Sequence, residues 1–166
     1  MNIAVYGFMG VGKTTIGRLL AERLSIDFID MDTEIEKREE TTIREIFRVQ
    51  GESRFRQLEA NLIKELSQQD GLVIACGGGA IADPENAETL SKASRMVYLT
   101  ASIKEIIERT NQDNSRPLLE VENPDTVAAE LYERRKPVYT QYAEFTIDTT
   151  GKTPDEVAEK VMEAIK

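Results

Sequence analysis

The sequence predicts an α/β fold built on a five-stranded, mainly parallel sheet with helices on both faces. Two observations carry that prediction. Five short apolar, β-rich runs alternate along the chain with segments of helical periodicity. The chain has 166 residues, 40% hydrophobic and 31% charged, values that suit one ordinary soluble domain. Strands separated by helices pair in parallel through right-handed crossovers, and each face of the sheet is then covered.

Each element follows in order. Asn2 to Tyr6 (NIAVY) is the first strand and ends at Gly7. KTTIGRLLAERL follows with Ile16, Leu19, Leu20 and Leu24 at helical spacing. Asp27 to Asp30 (DFID) reads as a second strand. The stretch TTIREIFRVQGESRFRQLEANLIKEL is helical, starts at the capping-box pair Thr42 and Glu45, and breaks at Gly51. Leu72 to Cys76 (LVIAC) is the third strand and runs into Gly77, Gly78 and Gly79. A helix begins at Pro84 with Asp83 as its cap. Arg95 to Leu99 (RMVYL) is the fourth strand, and the Ser102 and Glu105 pair opens a helix toward Arg109. TNQDNSRPLLEVENPD is polar, holds two prolines and reads as a long loop of the kind that serves as a lid. Thr126 to Tyr142 is helical but disturbed at Pro137. FTID is the fifth strand, and a last helix starts at Thr153 and Pro154 with Val157, Val161 and Ile165 on one face.

Composition excludes several classes. Lys and Arg number 21 against 30 Asp and Glu, so the net charge of −9 opposes non-specific binding to nucleic acid or anionic lipid. No apolar run approaches the ~20 residues of a membrane-spanning helix, and no leader-like segment is seen, so the expected location is the cytoplasm. With one cysteine, Cys76, and no histidine, neither an intramolecular disulfide nor structural zinc is expected. Cys76 itself is expected to be a buried strand-end thiol.

The most specific local signal is GFMGVGKTT, Gly7 to Thr15, where Gly7, Gly12, Lys13 and Thr14 match G-x-x-x-x-G-K-[ST] between a strand and a helix. Such a loop turns its amides inward and aims a helix N-terminus at phosphate. Lys13 would reach the β- and γ-phosphates and Thr14 would ligand Mg²⁺. The ligand is therefore a nucleoside triphosphate. A conventional GTPase or motor is disfavoured, because no N-K-x-D signature occurs and LVIACGGG puts glycines where many such ATPases carry an acid.

The destination of the phosphate depends on other residues. Asp30 and Asp32 in FIDMDTEIE are expected at the carboxyl end of the second strand, where alternation would turn both toward one side. One would hold the metal's water shell and the other a substrate hydroxyl; either could instead merely cap a following helix. Arg56, Arg116 and Arg135 offer cationic forks for phosphate or carboxylate, although arginines of this kind are also commonly solvated. Gly77 to Gly79 allow close backbone approach, or form only a turn.

Taken together and in order, GFMGVGKTTIGRLLA, FIDMDTEIE, FRQLE, CGGGA, SRPLL and RRKPVY resemble shikimate kinase over nearly the whole chain. The resemblance implies the nucleoside monophosphate kinase-like P-loop NTPase fold and transfer of the γ-phosphoryl group of ATP to the 3-hydroxyl of shikimate. It implies that Gly10, Val11, Gly12, Lys13, Thr14 and Thr15 bind ATP, with Arg109 at the adenine and Arg116 in the lid and on the phosphates. It places Asp32 on the acceptor hydroxyls, Arg56 and Arg135 on its carboxylate, and Gly78 and Gly79 against it through backbone contact. Glu59 helps orient the arginine site. Thr14, and Asp30 through water, belong to the Mg²⁺ environment. Lys13, Asp32 and Arg116 are the expected catalytic residues. The choice of Arg135 over its neighbour Arg134 depends on its distance from Pro137. The lid segment NQDNSRPLL departs from the pattern in lacking glycine.

One domain over residues 1–166 is expected, with a substrate-binding helical region at 32–62 and a lid at 110–122. The expected partners are shikimate and ATP, with no nucleic acid and no membrane, and the chain is expected to act as a monomer. Two other readings compete: a kinase of the same fold for another small hydroxylated acid or sugar such as gluconate, and a nucleotide-binding regulatory module without catalysis.

Overall fold

In the computed structural model, residues 1–110 and 124–166 are described. The first strand, β1 (Asn2–Gly7), is buried at every position, which its uninterrupted apolar run requires of a strand covered on both faces. It is flanked by β3 (Leu72–Ala75) and β4 (Ser94–Thr100), with β2 (Asp27–Asp30) and β5 (Phe145–Asp148) at the edges. The order is β2-β3-β1-β4-β5, and every pairing is parallel, in registers such as Ile3 with Val73 and Val5 with Val97.

Two helical layers cover the sheet. Helix α1 (Lys13–Leu24) packs against β3 and against the C-terminal helix, which in turn packs on β5. On the other side the helix α4 (Glu52–Leu66), the short helix α5 (Gly78–Ala82) and α6 (Pro84–Ser91) pack in succession, with α8 (Pro124–Tyr142) beside them against β4. Ile16, Leu20, Ile63, Leu66, Leu90 and Val161 are all at most 2% exposed and fill the space between helices and sheet. Each such side chain contributes about 1.5–3 kcal/mol when buried. At the start of β1, buried Asn2 donates to the carbonyls of Leu66 and Gln69 and accepts from the Leu72 amide, tying the first strand to the α4–β3 turn.

Local sequence signals set the helix ends. Thr42 accepts from the Glu45 amide at the start of α3 (Ile43–Gln50), and Gly51, at φ 86°, separates α3 from α4 as expected. Asp83 caps α6 through the Glu85 amide. Ser102 accepts from the Glu105 amide at the head of α7 (Ile103–Thr110), and α9 (Pro154–Ile165) opens on a full capping box between Thr153 and Glu156. Caps of this type contribute about 1 kcal/mol each.

Two expectations need correction. A helix, α2 (Met31–Glu39), begins directly after β2, so Asp30 ends the strand while Asp32 lies in the first helical turn. The strand alternation invoked for the pair does not apply, because helical geometry takes over between the two residues. The glycine triplet is more than a turn, since Gly78 and Gly79 open α5. As expected, α8 extends to Tyr142 with Pro137 inside it, on the exposed side. Among the described residues no helix is long and apolar enough to cross a membrane.

Candidate active site

The carboxyl ends of β1, β2 and β3 converge on one edge of the sheet, where open α/β folds bind ligands. The loop after β1 is shaped by Gly10 at φ 85° and Gly12 at φ 91°, left-handed conformations that residues with a side chain rarely adopt. Gly12 precedes α1 without a side-chain cap, and the first turn of that helix carries no acid. Its leading amides therefore face the loop with their partial positive charge available to an anion. Val11 is buried and anchors the loop, whereas Thr14 and Thr15 are exposed at the helix start. Lys13 Nζ donates to the carbonyls of Gly7 at 3.0 Å and Phe8 at 3.2 Å, which holds the ammonium across the loop.

Asp30 caps the following helix, one of the two readings the sequence left open, and it also meets Thr14. Its Oδ1 accepts from the Thr33 amide at 3.0 Å, capping α2, while its Oδ2 accepts from the Thr14 hydroxyl at 2.5 Å. A hydroxyl and a carboxylate brought together at the mouth of a phosphate loop are hard oxygen donors, the set that suits Mg²⁺. On the other flank, Arg109 donates to the Gly10 carbonyl at 3.0 Å and to Glu105 at 2.6 Å, so α7 lies against the same loop.

A second cluster stands beside the loop, around the glycine triplet. Glu59 of α4 is 1% exposed and receives a 2.5 Å ion pair from Arg56, whose other nitrogen reaches Glu52 at 3.4 Å. Burial pushes the Glu59 carboxyl up to about 7, Arg56 opposes that shift, and nearby Asp32 adds to it. A Cβ on Gly77 would meet Glu59 at 2.8 Å and Asp32 at 3.2 Å. A Cβ on Gly79 would overlap the Arg56 guanidinium, and one on Gly78 would come within 3.3 Å of Arg135 Nη1. The glycines thus let two guanidinium groups and two carboxylates lie against the backbone.

Arg135 is 7% exposed and its guanidinium carbon lies 5.7 Å from the centre of the Phe8 ring, whereas Arg134 is exposed. Burial lowers the Arg135 pKa from its ordinary value. The structure therefore separates two adjacent arginines that the sequence distinguished only by their distance from a proline. Cys76, 1% exposed at the end of β3, is the buried thiol expected, with its pKa raised by burial.

Of the residues expected at the site, Gly10 to Thr15, Asp30, Asp32, Arg56, Glu59, Gly78, Gly79, Arg109 and Arg135 lie around this one edge. Arg116, and all but Thr110 of the expected lid, lie outside the described residues; Thr110 ends α7. Two participants in the geometry were missed. Tyr139 donates to the Gly78 carbonyl at 2.6 Å, and its place one helical turn after Arg135 was the available signal. Thr150, in the β5–α9 loop, accepts from the Ser102 amide and ties that loop to the start of α7; nothing local to its sequence marks it.

A parallel sheet in this order, a phosphate loop with its lysine, and an adjoining cluster of arginines and carboxylates define a P-loop kinase of small molecules. The family model for shikimate kinase matches residues 9–166. The chain is 47% identical over 161 residues to the shikimate kinase of Thermodesulfovibrio yellowstonii, covering 97% of this chain and 92% of that protein. The solved shikimate kinase of Acinetobacter baumannii, in complex with shikimate, superposes with a TM-score of 0.95 at 41% identity, covering 99% of this chain and 92% of the other. The chain belongs to the shikimate kinase family. A gluconokinase from Sinorhizobium meliloti, covering 99% of this chain and 90% of its own, shares the fold alone at 15% identity and a TM-score of 0.58.

Proposed function

We propose that the chain transfers the γ-phosphoryl group of ATP to the 3-hydroxyl of shikimate, giving shikimate 3-phosphate and ADP. The observation that carries this reading is the pair of arginines, Arg56 and Arg135, laid against Gly79 and Gly78 beside the phosphate loop. A small carboxylic acid with hydroxyl groups needs cations at one end and a carboxylate at the other, and family membership supports that choice of acceptor.

In this reading the acceptor's carboxylate sits between Arg56 and Arg135, with its ring against Gly78 and Gly79. Asp32 accepts a hydrogen bond from the attacking hydroxyl and takes its proton as the oxygen bonds to phosphorus and ADP departs. Lys13 and the loop amides stabilise charge on the transferring group, and Arg116 is assigned to the same role by the family pattern. Thr14, and Asp30 through water, would hold Mg²⁺, which when bound neutralises charge on the β- and γ-phosphates. Arg109 faces the nucleotide from α7. The chain is proposed to work as one domain, with residues 32–62 binding the acceptor.

The test is ADP release from Mg²⁺-ATP with shikimate, gluconate, a nucleoside monophosphate or no acceptor, with Lys13→Ala as the control for contaminating activity. Release stimulated by shikimate alone and abolished in Lys13→Ala is expected. Stimulation by gluconate instead would move the acceptor. Tight ATP binding without acceptor-dependent release would leave a nucleotide-binding regulatory module.

A further inference from the structure

Arg135 has to be held, since a long side chain fixed in a single rotamer loses up to about 2 kcal/mol of conformational freedom. Phe8 supplies an aromatic face on one side. The polar contact comes from Tyr139, whose side chain is fully buried and follows Arg135 by one turn of α8. Its hydroxyl donates to the Gly78 carbonyl at 2.6 Å, and the hydroxyl oxygen and Arg135 Nη1 flank one point, 3.0 and 3.3 Å from where a Cβ on Gly78 would stand. A phenol has one proton to give, which the Gly78 carbonyl takes, and lone pairs that face the neighbouring guanidinium.

The other end of Tyr139 is fixed as well. Its carbonyl belongs to the last turn of α8, where the helix offers no partner, and it accepts from the Tyr6 hydroxyl at 2.7 Å. Tyr6 lies in the central strand, and the rings of Tyr6, Tyr98 and Tyr139 pack with centroids 5.4 to 5.7 Å apart. A path of buried hydrogen bonds thus runs from the middle of the sheet through α8 to the backbone of α5.

We propose that Tyr139 is a positioning residue for the acceptor's carboxylate: its hydroxyl fixes the Arg135 guanidinium relative to the Gly78 backbone, making one rigid end of the pocket. The proposal rests on the reading of Arg135 as a carboxylate-binding residue. Tyr139 meets no reacting atom, so its loss acts on acceptor binding and leaves ATP binding and the chemical step nearly intact. A phosphate loop anchored independently through α1 has no need of this hydroxyl.

The experiment is steady-state kinetics on the full chain, varying shikimate and ATP separately, for Tyr139→Phe, Tyr98→Phe, Arg135→Lys and the double variant Tyr139→Phe/Arg135→Lys. Tyr139→Phe is expected to raise the shikimate KM about tenfold, as loss of a hydrogen bond to a charged group does, with ATP KM within about twofold and kcat within about threefold. Tyr98→Phe removes a hydroxyl from the same cluster and is expected to shift each constant less than about twofold. Arg135→Lys raises the shikimate KM, and adding Tyr139→Phe to it changes little more, because the two act as one unit.

An unchanged shikimate KM in Tyr139→Phe, with a raised one in Arg135→Lys, overturns the proposal and leaves the reading of the carboxylate site standing. An unchanged KM in Arg135→Lys removes that reading and the proposal with it. Should Tyr139→Phe fail to fold, Tyr6→Phe, which releases the other end of Tyr139, decides: a shikimate-selective rise in KM supports the proposal and an unchanged KM overturns it.

Discussion

Arg56 Nη1 lies 2.5 Å from Glu59 Oε1 across one turn of α4, and the carboxylate it meets is 1% exposed. The arginine is thereby oriented from within the protein, at the expense of burying an acid beside a second acid, Asp32. Burial dominates, so the carboxyl titrates near 7 in the folded chain against 4.5 without that environment.

The stability consequence has a definite sign. A carboxyl whose folded pKa is raised contributes stability that is complete below its unfolded pKa and lost as pH rises through the folded one. Urea unfolding should therefore show stability falling between pH 5 and pH 8. Glu59→Gln should flatten that slope. Among the described residues, the carboxyls of Glu45, Glu65, Asp70 and Asp148 shift downward, so their contributions are lost only at more acid pH. An equally steep slope in Glu59→Gln would assign the effect elsewhere.

Gly79→Ala should separate binding from folding. The new methyl would overlap the far end of the Arg56 side chain, which can swing away, and Gly79 does not have a left-handed backbone. The expected cost in stability is therefore about 1 kcal/mol or less. Displacing the guanidinium should nonetheless raise the acceptor KM about tenfold or more, with ATP KM unchanged. Equal losses for both substrates would show a general distortion.

The two oxygens of Asp30 allow its two roles to be measured apart. Asp30→Asn retains an oxygen able to cap α2, so thermal stability should change little, while the Mg²⁺ concentration for half-maximal rate rises about tenfold. Asp30→Ala should add a loss of about 1 kcal/mol from the missing cap. An unaltered Mg²⁺ dependence in Asp30→Asn would confine the residue to capping.

Asp32→Asn should lower kcat by about 100-fold or more where chemistry limits the rate, the usual scale for a lost proton acceptor, while the protein stays folded. Retention of wild-type turnover would remove Asp32 from that role.

The phosphate loop was legible because its function depends on a fixed local spacing, Gly7 to Thr14, and the helix starts because Thr42, Asp83, Ser102 and Thr153 bond within three residues of themselves. A helical region was expected from residue 32, but α2 was given no bounds of its own because MDTEIEKRE shows only Met31 and Ile35 on its buried face, too few for a clear period. The position of Asp32 was misjudged for the same reason. The Arg56 pairs with Glu52 and Glu59 are local to α4, whereas the approach of α8 to the glycine triplet, as in Tyr139 with Gly78 at a separation of 61 residues, is a long-range contact whose partner no local pattern names.

The strand order also bears on how the chain folds. β1 precedes both of its hydrogen-bonding neighbours, β3 and β4, in the chain, with Val73 opposite Ile3 and Ser94 opposite Asn2. The nucleotide loop is braced on both sides only through pairings between segments far apart in sequence, and closing such long loops slows folding. The loop that is built to take hold of phosphate thus acquires its working shape only after segments that follow it in the chain have paired with β1.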